Sequence, residues 1–259
     1  MANQSLEEKL ARWSDSKITY LAEAGIEFKN GFPVIPKEAY YTGIPHDIQT
    51  YQFRNNVKEN MRSKTLICYF SNENHLIQRF SKIDDEIPEL KQYAGICGFD
   101  FSVSIGMPRP IQRSCLLVNA VFNCYVALHG IKILPNCRVG DMGCMNILDT
   151  FQPNSNIISG ELGCKRNGGL EYGMHQLHII QTRIAPNILF AYGSMPEKDM
   201  RAACGFKPQK FAVYPSNRDK QRNHKKAYAA LWDGHKAHKK SIEDFIKDGG
   251  EFHVGKDIV

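Results

Sequence analysis

A chain of 259 residues, 42% hydrophobic and 23% charged, has the composition of an ordinary soluble globular protein and can bury a substantial core in one large α/β domain or two small ones. Its eight cysteines lie largely within or beside apolar patterns, with no CxxC pair and no closely spaced Cys/His set, which argues for free buried thiols rather than a disulfide scaffold or a structural zinc site. The net charge of +6 is unevenly placed: segment 218–240 holds eight basic residues against Asp219 and Asp233, and that is the whole excess.

The polar, acidic N-terminus does not read as a signal peptide, and a cytoplasmic protein is expected. Ser5 with Glu8 forms a capping-box pattern, followed by helical apolar spacing through Trp13, Ile18 and Leu21 up to Gly25. Two β-like runs, 26–29 and 32–35, flank Asn30-Gly31, a strong hairpin turn signal. Residues 36–63 read as an extended excursion. From Lys64 an alternating pattern begins: strand 65–70, helix 73–82, an acidic linker at Asp84-Asp85-Glu86, and strand 95–103. A helix from about Pro108 to His129 follows, apolar on nearly all sides. Because it is interrupted by Asn119, Asn123 and His129, it is expected to be buried rather than membrane-spanning. Its Gln112, Asn119 and Asn123 share one side, and buried amides must find partners in neighbouring helices, in backbone or in a site. Then come strand 131–135, a short helix near 143–150, strand 156–161, helix 169–184, strand 188–192, helix 196–204, strand 210–214 and a basic helical region over 220–247.

Strands alternating with helices imply an α/β fold with a mainly parallel sheet, preceded by an N-terminal helix and β-hairpin and followed by a basic helical C-terminal segment. The corresponding division is 1–63, 64–217 and 218–259. A TIM-barrel-like (β/α) barrel and an open doubly wound sheet both fit, and the lack of a G-x-G-x-x-G loop after any strand favours the barrel. Either arrangement places Asp100, Arg138, Glu161 and Tyr192 at strand carboxyl ends, where such sheets bind ligands.

Asp100, Asp141 and Glu161 are carboxylates of the type that hold Mg²⁺ for phosphodiester cleavage, with Arg138 able to grip a phosphate. Asp100 is the best single candidate, since a charge between Phe99 and Phe101 is costly without a partner. The Gly-rich basic loop containing Gly163, Lys165 and Arg166 precedes a helix and suits an anion, although it lacks the spacing of a P-loop. Cys164 in that loop has no adjoining His to activate it, and His175 with His178 lacks a third metal ligand. In the basic segment, Arg218, Lys220, Arg222, Lys225, Lys226, Lys236, Lys239 and Lys240 suit a phosphate backbone, with Trp232 available to stack on bases.

Asp100-Phe101-Ser102, Met107-Pro108-Arg109 with Gln112, the run Gly130 to Arg138, Gly163-Cys164-Lys165-Arg166-Asn167 and Tyr192-Gly193 together resemble a family carried by bacteriophages and mobile elements, the domain of unknown function 4417. The resemblance spans roughly 95–195. The family often has a Trp after the Arg of the second motif, where this chain has Val139-Gly140-Asp141. The resemblance implies a mobile-element origin and a set of motif positions, with no reaction attached. Three functions follow as expectations: nucleic-acid engagement through 218–240, metal-dependent phosphodiester or nucleotide hydrolysis, and capture of a host protein by the apolar central helix.

Overall fold

The computed structural model describes residues 6–71, 73–80, 82–103, 106–160, 178–193, 210–222, 230–233 and 239–247. Helix α1 (Leu6–Glu23) ends before Gly25, whose φ of +80° turns the chain out of the helix. Its Trp13, Ile18 and Leu21 pack into the first of three apolar clusters, with the Trp13 ring 4.5 Å from Phe80. The hairpin forms as its turn signal predicts. Strands β1 (Phe28–Lys29) and β2 (Phe32–Pro33) pair antiparallel, and Asn30 and Gly31 both adopt the positive φ that such a turn requires. Asn30 Nδ2 donates to the Asn146 carbonyl and to Asp149, docking the hairpin on a 3₁₀ stretch, Met142–Thr150.

The segment read as an extended excursion contains a strand. Strand β3 (Asp47–Thr50) lies parallel to β4 (Thr65–Cys68), with Ile48 opposite Leu66, and leads into a 3₁₀ turn, Tyr51–Asn56. Asp-Ile-Gln-Thr has two β formers, Ile48 and Thr50, but no apolar run, so little local marks it. Parallel pairing with a buried neighbour supplies the strand.

A one-turn helix α2 (Glu59–Arg62) precedes β4, and helices α3 (Glu73–Phe80) and α4 (Ile83–Leu90) separate β4 from β5 (Gly95–Cys97). The acidic stretch 84–86 is the first turn of α4 and not a linker; three carboxylates there complement the positive end of the helix dipole. Helix α5 (Arg109–Leu128) then runs into β6 (Ile133–Leu134). Strands β3, β4, β5 and β6 make one parallel sheet in that order. Gly95, at φ +148°, permits the close start of β5 against β6, since a Cβ there would lie 2.3 Å from the Lys132 carbonyl oxygen.

A second sheet holds β7 (Ile157–Gly160), β8 (Ile188–Tyr192) and β9 (Lys210–Tyr214), mutually parallel, extended by β10 (Ala230–Asp233) and β11 (Lys239–Ser241), which pair antiparallel. An Asn136–Ile158 bridge connects the sheets, with Cys137 N–H donating to Ile158 O at 3.1 Å and Ile158 N–H donating to Pro135 O at 2.9 Å.

Side chains alternate with period two across both sheets. Leu66, Cys68, Cys97, Leu134, Ile158, Phe190 and Tyr214 enter one cluster common to the two sheets. Ile67, Ile96 and Ile133 face the helices of the first half, while Ile157, Leu189 and Phe211 face those of the second. A strand buried on both sides needs no polar alternation, which is why Ile-Leu-Phe-Ala-Tyr of β8 is apolar throughout and buried at every position.

The expected helix over 220–247 is a short helix, Asn217–Arg222, then strands β10 and β11, then a helix at Ile242–Lys247. Pairing with β9 overrides the local pattern: Trp232 stands opposite Phe211 on one side and Lys239 on the other. Pairing thus crosses both divisions drawn from the sequence, β3 to β4 and β9 to β10. The helix expected at 169–184 is present over its described part, 178–184, whereas the helix expected at 196–204 lies outside the described residues. Helix α5 is long and apolar enough to cross a membrane, but most of it is buried within the protein.

Candidate functional site

Beyond β5 the chain continues as Gly98-Phe99-Asp100-Phe101, held by amides of α5. Asn123 Oδ1 accepts the Phe99 N–H at 2.9 Å, Asn119 Oδ1 accepts the Phe101 N–H at 2.7 Å, and Asn119 Nδ2 returns a bond to Phe101 O at 3.1 Å. Of the partners expected for these amides, backbone is the one that Asn119 and Asn123 find. Phe99 and Phe101 enter the aromatic cluster with Phe80, and Phe99 stacks at 4.0 Å on Phe122. Asp100 is buried yet fully matched: Arg138 Nε and Nη2 reach its two oxygens at 2.5 and 2.9 Å, and Asn136 Nδ2 donates at 2.7 Å.

The structure therefore brings Asp100 and Arg138 together, as one bidentate, partly buried ion pair rather than as a metal ligand beside a phosphate clamp. The adjoining cavity, lined by Asn119, Asn123, Asn136 and Arg138, measures about 20 Å³. That is room for roughly one water, not a substrate.

Asp141 belongs to a different network. Its Oδ1 caps the 3₁₀ stretch by accepting Gly143 N–H at 3.0 Å, and its Oδ2 accepts Gln112 Nε2 at 3.1 Å. Gln112 Oε1 in turn accepts the Asp141 N–H at 2.8 Å, and its amide also donates to Met107 O. Arg109 stands 4.0 Å away. Glu161, Gly163, Lys165, Arg166, Cys164 and His175 lie outside the described residues. Among the described residues, no group of three or more His, Cys, Asp or Glu is arranged to hold a metal ion.

The basic segment starts with a helix built by a capping box. The Ser216 N–H bonds Asp219 Oδ2 at 3.0 Å, and the Asp219 N–H bonds Ser216 Oγ at 3.2 Å. Lys220 does not face solvent as a phosphate contact: its Nζ donates to both Asp47 oxygens at 2.6 and 2.8 Å and to Ile48 O at 2.9 Å. Asn217 Nδ2 donates to Thr50 Oγ1, and the Asn217 N–H to the Tyr192 hydroxyl. The helix is thus pinned to β3, with Arg218 and Arg222 exposed. Trp232, Lys239 and Lys240 lie on β10 and β11, while Lys225, Lys226 and Lys236 lie outside the described residues.

Six described cysteines are free, five of them buried. Burial pushes the Cys68 thiol up to about 12, so it is no ready nucleophile.

Sequence reasoning missed a cleft of about 230 Å³ at the carboxyl ends of β3 and β4, formed with α3. Thr50, Arg54, Ser71, His75 and Arg79 contribute its polar wall. Two strand ends meeting a helix N-terminal region would have marked it, had β3 been recognised. Burial pushes the hydroxyl of Tyr51, which also lines the cleft, up to about 12, with Glu86 adding to the shift, so it remains protonated.

The family model described as "Domain of unknown function (DUF4417)" matches residues 28–211, more than half of the chain. The chain belongs to this family. The DUF4417 match extends upstream of the motifs singled out in the sequence and takes in the hairpin, β3 and the whole cleft as well as Asp100 and Arg138. It stops just inside β9, before the basic segment. No curated protein and no solved structure matches the chain.

Proposed function

We propose that this DUF4417 chain is a cytoplasmic protein of a phage or mobile element that engages nucleic acid through its basic C-terminal segment, on a body whose parallel strands β3 to β9 close into a TIM-barrel-like (β/α) barrel. Closure is supported by the bonds between the two ends of the strand series. The Tyr214 hydroxyl donates to Pro45 O at 2.5 Å, Lys220 grips Asp47, and Asn217 reaches Thr50. The inner faces of both sheets also share one apolar cluster.

The observation that carries the nucleic-acid reading is the division of labour in helix Asn217–Arg222. Lys220 fixes the helix to β3, and Arg218 and Arg222, with no structural bond among the described residues, stand in solvent where the segment's excess charge begins. A pinned cationic surface attracts a phosphate backbone through counterion release, with less ordering cost than a loose tail would incur. The hydrolase alternative, Asp100, Asp141 and Glu161 around Mg²⁺, loses its best member, since Arg138 and Asn136 already occupy the Asp100 carboxylate. Capture of a host protein by α5 has little free surface to work with, because α5 is mostly buried and α1, the hairpin and the 3₁₀ stretch pack against it.

Electrophoretic mobility shifts with single- and double-stranded oligonucleotides test the proposal. Replacing Arg218, Arg222, Lys225 and Lys226 together by Ala is expected to weaken binding at least ten-fold. Unchanged affinity would refute it.

A further inference from the structure

We propose that the cleft at the carboxyl ends of β3 and β4 is a binding site for a phosphomonoester group. Its volume of about 230 Å³ exceeds the roughly 150 Å³ that accommodates a benzene-sized molecule, so a phosphate with a small organic substituent fits.

The wall is rich in donors. Thr50 Oγ1 accepts from Asn217 Nδ2 and Ser71 Oγ accepts from Gln52 Nε2, which leaves each hydroxyl hydrogen to be donated elsewhere. Tyr69, 1% exposed, lines the same cleft, and its hydroxyl is buried without a hydrogen-bond partner. A native protein rarely leaves such a donor unmatched, and in a cleft of this size an ordered water or a ligand oxygen completes it.

Arg54 and Arg79 bring guanidinium donors that are already oriented, their charges balanced by Glu89 and Glu86. Glu89 holds the Arg54 fork at 2.9 and 3.0 Å, while Arg79 Nη1 donates to Glu86 and to the Tyr51 hydroxyl, both at 2.7 Å. Arg79 Nε and Nη2 have no partner among the described residues. The two glutamates are not among the residues that line the cleft.

Hydroxyl donors at the end of β3 and just beyond β4, a buried phenol and a guanidinium on α3 offer more bonds than the two oxygens of a carboxylate accept. They suit a tetrahedral phosphate. A nucleobase is not the occupant, because the Tyr51 ring is already covered by Arg54 at 4.0 Å, Arg79 at 4.8 Å and Tyr69 at 5.4 Å.

The phosphate can belong to a free sugar phosphate or to the 5′ end of a nucleic acid. Calorimetric titration of the full chain with ribose 5-phosphate, and with an oligonucleotide carrying a 5′-phosphate or a 5′-hydroxyl, separates the two sources. The expected result is binding of ribose 5-phosphate, of the 5′-phosphorylated strand in preference to the hydroxyl form, or of both. Tyr69→Phe and Ser71→Ala should each weaken that binding by about ten-fold, as loss of one hydrogen bond to a charged group implies. Tyr69→Phe removes an unmatched buried hydroxyl, so its Tm should be equal to or above that of the wild type, which separates lost binding from lost folding. Arg218→Ala with Arg222→Ala should leave the ribose 5-phosphate affinity unchanged, so this site and the nucleic-acid reading fail separately. Absence of binding by every phosphomonoester probe, or wild-type affinity in Tyr69→Phe, would overturn the proposal.

Discussion

Asp100 shows how far a single residue can be read from its neighbours. A carboxylate between two phenylalanines demands a partner, and Arg138, singled out with it, is that partner. What the sequence does not encode locally is whether a carboxylate and a guanidinium 38 residues apart meet each other or share a third group. The amides of α5 decide it by fixing the backbone of 99–101 against the helix. Asp100→Ala removes a carboxylate from a partly buried guanidinium and is expected to cost about 2–4 kcal/mol of stability, measured by denaturant unfolding. Wild-type stability in that variant would return Asp100 to the list of functional carboxylates. The cleft was illegible for a related reason. Arg54, Ser71 and Arg79 are unremarkable in sequence and gain meaning only where β3 ends beside β4.

Among elements, legibility followed the strength of the local pattern. Strands β8 and β9 and helix α5 fall where their apolar runs and proline and glycine boundaries put them, and the Asn-Gly hairpin forms as its turn chemistry requires. β3, β10 and β11 are three or four residues long and owe their conformation to pairing partners, which no local window contains. The contacts that join elements are likewise long-range.

Lys220→Met should release helix Asn217–Arg222 from β3 and cost about 1–3 kcal/mol, with faster hydrogen exchange confined to 47–50 and 216–222. Uniform exchange across the chain would speak against a local anchor. Asp84 ties three helices, accepting from Lys17 of α1 at 2.9 Å and from the Tyr125 hydroxyl of α5. Burial alone would raise its carboxyl, but the Tyr125 and Lys17 bonds outweigh this and hold it below the ordinary 3.8. Its contribution is therefore present above pH 3.8 and fades as pH falls through the lower folded value. Asp84→Asn should flatten the acid limb of the stability profile between pH 5 and 2, and an unchanged limb would contradict the assignment.

Across the whole molecule, the parallel order of strands gathers their carboxyl ends, and the groups found there are the donor-rich cleft at β3 and β4, the Asp100–Arg138 pair after β5 and β6, and the pinned basic helix after β9. Parallel order was legible from strand–helix alternation. The distribution of tasks was not, because whether a polar cluster holds the fold or meets a ligand depends on which of its atoms are already bonded. The net charge of +6 resides in the segment that this order brings back to β3.

The most direct test of that charge's purpose is the salt dependence of binding to a single-stranded oligonucleotide, followed by fluorescence anisotropy. The account predicts a falling affinity whose log–log slope becomes shallower by about 3, at about 0.7 per phosphate contact, when Arg218, Arg222, Lys225 and Lys226 are replaced by Ala. An absence of binding at low salt, or the same slope in the variant, would contradict it.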